Sequence, residues 1–407
     1  KELDKDIDFE LIKKNPKIFI LSGKARSGKG EISNIIENYY KLANIAKQHG
    51  AKTTMILQYI KLNYKLLDRQ VLYVSCEDKY FSNHSLLSLA EQFYLNGGRH
   101  LFLDEVHKYD DWSNEIKEIY DFYPTMRVVL SGSSLLSMTE GDADLARRCI
   151  NHDIQGLSFR EFLHFYKGIK MPVYPLEQVL ENPAPLIEEM NKHGRPIALL
   201  KEYLKYGYYP YYLNNETDYH IAIQQVVNKI IDIELPRICG VDLNNTRKIK
   251  SLLTILCASV PFQVDITKLA TQSGLKRDTI INYLSYLDKA KLIRLLYSDL
   301  KNIKRMQKPD KIYIDNTNLL NAWATTPIQI GTIRETFVAN QLSVNHVVEF
   351  RKTNGDFLVD SKYTFEVGGD DKDFQQIANV ADSFILADDM ETAIGKKLPI
   401  WVVGFDY

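Results

Sequence analysis

Two carboxylates, Asp104 and Glu105, close the apolar run in Leu101-Phe-Leu-Asp-Glu-Val-His-Lys-Tyr109. Apolar residues running into acids predict a buried parallel strand that delivers both groups at its C-terminal end, where open α/β sheets bind ligands. There the first carboxylate can help hold Mg²⁺, directly or through water, and the second can polarise an attacking water, as in a Walker B strand. Phosphate-cradling spacings occur twice upstream. Gly23-x-x-x-x-Gly28-Lys29 follows a short apolar run; its glycines let backbone N–H groups curl around phosphates and its lysine reaches the β and γ oxygens. Gly30 stands where a Ser or Thr hydroxyl would ligate the metal. The second candidate, Gly50-Ala51-Lys52-Thr53-Thr54, has the Lys-Thr pair, with Lys52, Thr53 and Thr54 on the phosphates and Thr53 sharing Mg²⁺ with Asp104. It has Ala51 in place of a glycine, Ala46 at the first glycine position and no clear strand ahead. The first copy has the better loop and the second the better metal ligand, so both stay open. Either one implies ATP with Mg²⁺ as the ligand.

The elements that must position these groups alternate. Lys17–Leu21 and Val71–Ser75 read as strands, residues 31–48 as an amphipathic helix, and residues 85–96 as a helix stopped by Gly97-Gly98. The acid-bearing strand comes next, then a helix over 112–123 ending before Pro124, then a strand Arg127–Leu130 leading to Ser131-Gly-Ser-Ser134. Strand–helix alternation predicts a parallel sheet covered on both faces.

With Val128–Ser134, Ala143-Asp-Leu-Ala-Arg-Arg148 and Gly156-Leu-Ser-Phe-Arg-Glu-Phe162 added to the acid strand, the chain resembles the AAA-type ATPases of bacteria and archaea whose C-terminal half is a nuclease-like domain of unknown function. The resemblance spans nearly everything after residue 50. It implies that Ser131 contacts the γ-phosphate or the attacking water, and that Arg147 or Arg148 is an arginine finger, acting within the chain or across a subunit boundary. It also puts Lys52-Thr53-Thr54 at the start of the P-loop helix. Residues 17–42 instead resemble the start of a small P-loop nucleotide kinase, so the two loops remain in conflict.

Beyond residue 156 the sequence predicts further modules. Residues 157–240 are helix-rich and carry the aromatic cluster Tyr203–Tyr212, expected as core material of a helical lid. Residues 241–310 contain the outline of a winged helix, with helices after Asp265 and Lys276 and a strand at Leu292–Tyr297. Lys276, Arg277, Lys289, Lys291 and Arg294, with Lys301, Lys304, Arg305 and Lys308 beyond, supply a basic patch for DNA phosphates or a docking face for a protein partner. In residues 311–407, Glu335 on a helix, Asp356 after the turn Asn354-Gly355, and Glu366 on the strand Tyr363–Gly368 resemble the Asp…Glu-x-Lys layout of restriction-type nucleases. The lysine position holds Gly368, so a nuclease-like fold with weak or absent cleavage is expected. The fold class is thus α/β: a P-loop sheet of AAA type over 1–156, then a helical lid, a winged helix and a restriction-endonuclease-like domain.

Composition bounds the rest. Lys+Arg 51 against Asp+Glu 52 leaves a net charge of −1, so any basic surface is local. Four cysteines, Cys76, Cys149, Cys239 and Cys257, are too widely spaced for zinc or a disulfide framework and fit a reducing cytosol. With no apolar signal core at the start and no long apolar run, neither secretion nor a membrane partner is expected. The oligomeric state is left open.

Overall fold

The computed structural model describes residues 18–23, 51–65, 68–133, 145, 148–210, 216–259, 262–263, 265–298 and 308–407. The chain divides into two units, residues 1–155 with 232–241, and residues 156–231 with 242–407. The stretch expected as one helical segment, 157–240, is therefore shared, its last residues belonging with the first unit.

The first unit is built on five strands: β1 (Ile18–Gly23), β2 (Val71–Ser75), β3 (His100–Asp104), β4 (Arg127–Ser131) and β5 (Cys149–Ile154). They lie in the order β2-β3-β4-β1-β5, and every pairing is parallel. Alternation along β3 explains why Leu101, Phe102 and Leu103 are all apolar. Leu101 and Leu103, with Val128 and Leu130 of β4, pack on Leu86, Ala90, Trp112, Ile116 and Ile119 of the helices Leu86–Leu95 and Trp112–Phe122. Phe102 and Val129 pack on Met55, Ile56 and Tyr59 of the helix Ala51–Asn63. A strand sandwiched in this way has no face left for polar residues until it ends. Ser85 starts the first of the two helices by accepting the Ser88 N–H at 3.0 Å, and Gly97, at φ +93°, turns the chain after it.

In the second unit the helices Leu176–Glu181, Ala184–Asn191, Pro196–Tyr206 and Glu216–Lys229 precede a three-helix, three-strand module: Thr246–Ser259, β6 (Phe262–Gln263), Ile266–Ser273, Arg277–Lys289, β7 (Ile293–Leu296) and β8 (Lys311–Ile314). Its antiparallel sheet has the order β6-β8-β7. The aromatic cluster is core: Tyr203 and Tyr208 are buried, and the ring of Tyr208 lies so close to Gly156 that a side-chain carbon there would meet it at 2.2 Å. The helix Ile330–Leu342 then leads to a mixed sheet, β9 (Val348–Phe350), β10 (Phe357–Val359), β11 (Tyr363–Gly368), β12 (Ser383–Ala387) and β13 (Lys397–Pro399). Its first three strands are antiparallel, and β12 and β13 run parallel to β11. No helix among the described residues is long and apolar enough to cross a membrane, and none of the four cysteines forms a disulfide.

Candidate functional site

Parallel strands bring their C-terminal ends to one rim. In register, Ser75 of β2 pairs with Asp104 of β3, and Ser131 of β4 lies level with Leu21 of β1, so that Gly23, Asp104 and Ser131 end on the same edge. Asp104 is buried and would be costly as a bare carboxylate. Three hydroxyls compensate: Thr53 Oγ1 donates to its Oδ2 at 2.6 Å, Tyr73 donates to the same oxygen at 2.8 Å, and Ser131 donates to Oδ1. Burial, reinforced by the neighbouring Asp104 charge, holds the Tyr73 phenol far above its ordinary pKa, so it remains a donor. The same two causes raise the thiol of Cys76, whose N–H donates to the Asp104 carbonyl at 2.8 Å.

Glu105 follows in the left-handed region, at φ 54° and ψ 42°, a conformation that is uncommon for a residue with a side chain. Its N–H donates to Ser131 Oγ at 3.2 Å, so one serine holds both acids of the pair. The Glu105 carboxylate stands 3.5 Å from Nε2 of His107, a buried ring whose Nδ1 accepts the Ser133 N–H at 3.3 Å. That contact assigns the ring proton to Nε2, facing Glu105. Ser133 Oγ in turn donates to Glu234 at 2.6 Å, and Arg237 reaches Asp110 at 2.7 Å and the Lys108 carbonyl at 3.0 Å. Segment 232–241 thus grips the loops that leave β3 and β4.

Of the two loops, Gly28 and Lys29 lie outside the described residues, as do the helix expected over 31–48 and Arg147. Lys52, Thr53 and Thr54 lie on the helix Ala51–Asn63, and of these three only the Thr53 side chain is described. The interior strand β1 carries the sequence ahead of the first candidate, while the helix packed on the sheet carries the second. Arg148 lies beside Cys149 at the start of β5, the opposite rim from Asp104, and pairs with Asp121 at 3.4 Å. Among the basic residues of the three-helix module, Lys276, Arg277 and Lys289 are exposed. Arg294 is half-buried and pairs with the buried Asp315 at 3.1 Å.

In the second unit Glu335, Asp356 and Glu366 converge. Glu335 accepts from Lys311 at 2.7 Å and from the Tyr313 hydroxyl at 2.6 Å. Asp356 accepts the Val367 N–H at 2.8 Å; burial, then the charges of Glu335 and Glu366, push its carboxyl up to about 6. Glu366 is ion-paired to Lys372 at 2.5 Å. Sequence reasoning missed Tyr73, His107, Glu234, Lys311 and Lys372, each of which meets its partner through the fold. The one legible hint is a polar residue inside an apolar run, as with Tyr73 in Val71–Ser75.

Residues 46–163 match the family model of an AAA domain, and residues 197–328 match that of a domain of unknown function (DUF8612). Among curated proteins, the uncharacterized protein MJ1637 of Methanocaldococcus jannaschii is 26% identical over 273 residues, which cover 64% of this chain and 57% of that protein, little more than half its length. Two solved structures are also similar. The Aeropyrum pernix ORC1 protein in complex with DNA has 11% identity over 77% of this chain and 88% of that one, at a TM-score of 0.29. A DNA polymerase III gamma subunit-related protein of Thermotoga maritima has 11% identity over 69% and 95%, at 0.25. The AAA match begins at residue 46, the first glycine position of the second loop candidate. Together with a parallel sheet ending in Asp104 and Ser131, it shows that the N-terminal part of this chain carries an AAA domain.

Proposed function

We propose that the first unit binds ATP with Mg²⁺ and hydrolyses it. The observation that carries this reading is the 2.6 Å bond from Thr53 to Asp104, which ties the start of a helix to the acid end of the neighbouring parallel strand. A threonine hydroxyl and a carboxylate are hard oxygen donors suited to Mg²⁺, which takes few protein ligands and fills its shell with phosphate oxygens and water. When bound, the ion neutralises phosphate charge. Lys52 would cradle the β and γ phosphates, Ser131 would orient the acid pair, and Glu105 would draw a proton from the attacking water. The match beginning at residue 46 supports Lys52 over Lys29. Calorimetry on the wild type, Lys29→Ala and Lys52→Ala tests the assignment. Lys52→Ala should lose ATP while Lys29→Ala keeps it; the reverse result moves the site to the first loop, and unchanged binding in both variants removes it. Glu105→Gln should retain ATP with turnover lowered roughly 10²–10⁴-fold.

A second reading, a nucleotide-gated switch with negligible turnover, is favoured by the Glu105 carboxylate standing against His107. ATP binding without phosphate release would select it. The helix–strand–helix–helix–strand–strand order of residues 246–314 supports a winged helix, with Lys276, Arg277 and Lys289 exposed for DNA or a protein partner. Duplex binding that weakens in Lys276→Ala, with a salt slope reduced by about 1, supports the DNA reading. An unchanged slope points to a protein.

A further inference from the structure

Glu234 reaches the candidate ATP site from outside the segment that matches the AAA domain, which ends at residue 163. It closes the π-helical turn Ile230–Glu234, where the helical run re-enters the first unit, and its side chain is almost fully buried. One carboxylate oxygen accepts the Ser133 hydroxyl at 2.6 Å, and the other has no hydrogen-bond partner among the described residues. Packing alone gives no reason to bury a carboxylate met on one oxygen only, since an apolar side chain would cost less there. The bond to Ser133 is what a carboxylate at 234 makes and an apolar side chain cannot. Ser133 is held at both ends: its hydroxyl by Glu234, and its N–H by Nδ1 of His107 at 3.3 Å. A ring nitrogen that accepts carries no proton, so Nε2 carries it and turns an N–H dipole to the Glu105 carboxylate, 3.5 Å away. Glu105 itself, at φ 54° and ψ 42°, has a conformation that persists only where neighbours hold it. Three links therefore run from the re-entrant segment to the second acid of the pair. The hydroxyls on Asp104 belong to Thr53, Tyr73 and Ser131, so these links can slacken without taking a donor from it.

We propose that Glu234 is a positioning residue of the hydrolysis site: through Ser133 and His107 it keeps the Glu105 carboxylate turned to the imidazole and away from the attacking water, so that the re-entrant segment restrains turnover. The inference rests on the proposed ATP hydrolysis at Lys52, Asp104 and Glu105. A carboxylate that faces an N–H dipole is a weaker base than one that faces water, and a base held aside does not reach the proton it must remove. Breaking any of the three links frees Glu105. A shift of the helix Glu216–Lys229 arrives at the same point, because the run continues through Ile230–Glu234 into Leu235–Cys239 without a loop. Lys52 and the donors to Asp104 take no part, so the restraint acts on kcat and leaves ATP affinity alone.

The test measures ATP binding by calorimetry and steady-state phosphate release on the full chain. Glu234→Ala and Ser133→Ala should each raise kcat about 10-fold with KM for ATP unchanged. Glu234→Gln keeps an acceptor for the Ser133 hydroxyl and should raise kcat far less. His107→Phe should release Glu105 directly, and adding Glu234→Ala to it should give no further rise. A residue with only a structural role would lower kcat when lost, or act on top of His107→Phe. One readout needs no nucleotide: NMR of the His107 ring nitrogens should show Nε2 protonated in wild type and a mixture of tautomers in Glu234→Ala and Ser133→Ala. Unchanged or lower kcat in both folded alanine variants, or a fully additive rise in the double variant, would overturn the proposal and leave ATP hydrolysis standing. No ATP binding or phosphate release by wild type or any variant would remove the hydrolysis site itself, and this role of Glu234 with it.

Discussion

Asp356 shows how a single residue can work against the fold that contains it. Its carboxyl titrates at about 6 in the folded chain, above the ordinary value of 3.8, because burial and two carboxylate neighbours disfavour its charge. The folded state therefore holds this proton more tightly than the unfolded chain does. Stability is lost as pH rises from about 4 through 6, by about 3 kcal/mol once ionisation is complete. Asp356→Asn should then be more stable than wild type at pH 8, and its advantage should vanish near pH 4. Parallel urea denaturation at the two pH values measures this, and a constant difference would refute the cause given. Asp104 is buried as well, and three hydroxyl donors compensate it. Thr53→Ala should cost about 1–3 kcal/mol, read as a lower melting temperature, because it leaves a buried carboxylate short of one bond. At this scale the sequence reveals the acids and the serine, whose positions at strand ends follow from local pattern. Tyr73, His107 and Lys372 are not legible there, because their partners stand far along the chain or, for Lys372, across a turn.

Among the elements, β3 commits each residue from Leu101 to Asp104. Leu101 and Leu103 face one helix layer, Phe102 the other, and Asp104 the rim. Leu103→Ala should cost about 2–5 kcal/mol and lower ATP binding only through that loss. All five strand positions of β2 were readable from its apolar, β-branched run, and β11 from its aromatic one. Sheet order was not readable, because hydropathy does not say that β4 lies between β1 and β3. A further tie holds the end of the second unit. His346 Nδ1 lies 2.6 Å from Asp360 and its Nε2 lies 3.2 Å from Asp406. The two carboxylates, Asp406 first, outweigh burial and raise the ring to about 9. The stabilisation is complete below the ordinary histidine value of 6.5 and is lost as pH rises through 9. His346→Gln should therefore melt lower than wild type at pH 6, with the gap closing by pH 10.

At the level of the whole molecule the chain leaves its first unit at residue 155 and returns to it for 232–241. The return is made inside one helical run, Glu216–Lys229 passing through the π-helical turn Ile230–Glu234 into Leu235–Cys239. Composition gives no break there, which is why sequence alone draws a single boundary near 156 and another near 240. A fragment ending at residue 155 should melt well below the first unit in the full chain, since Ser133 and Asp110 lose Glu234 and Arg237; equal melting temperatures would show that the returning segment adds nothing. The arrangement also constrains inheritance. A gene exchange that swapped only the leading stretch for that of a cousin would leave the later strand of ten or so codons among strangers, so the two pieces are obliged to travel, and to drift, as one.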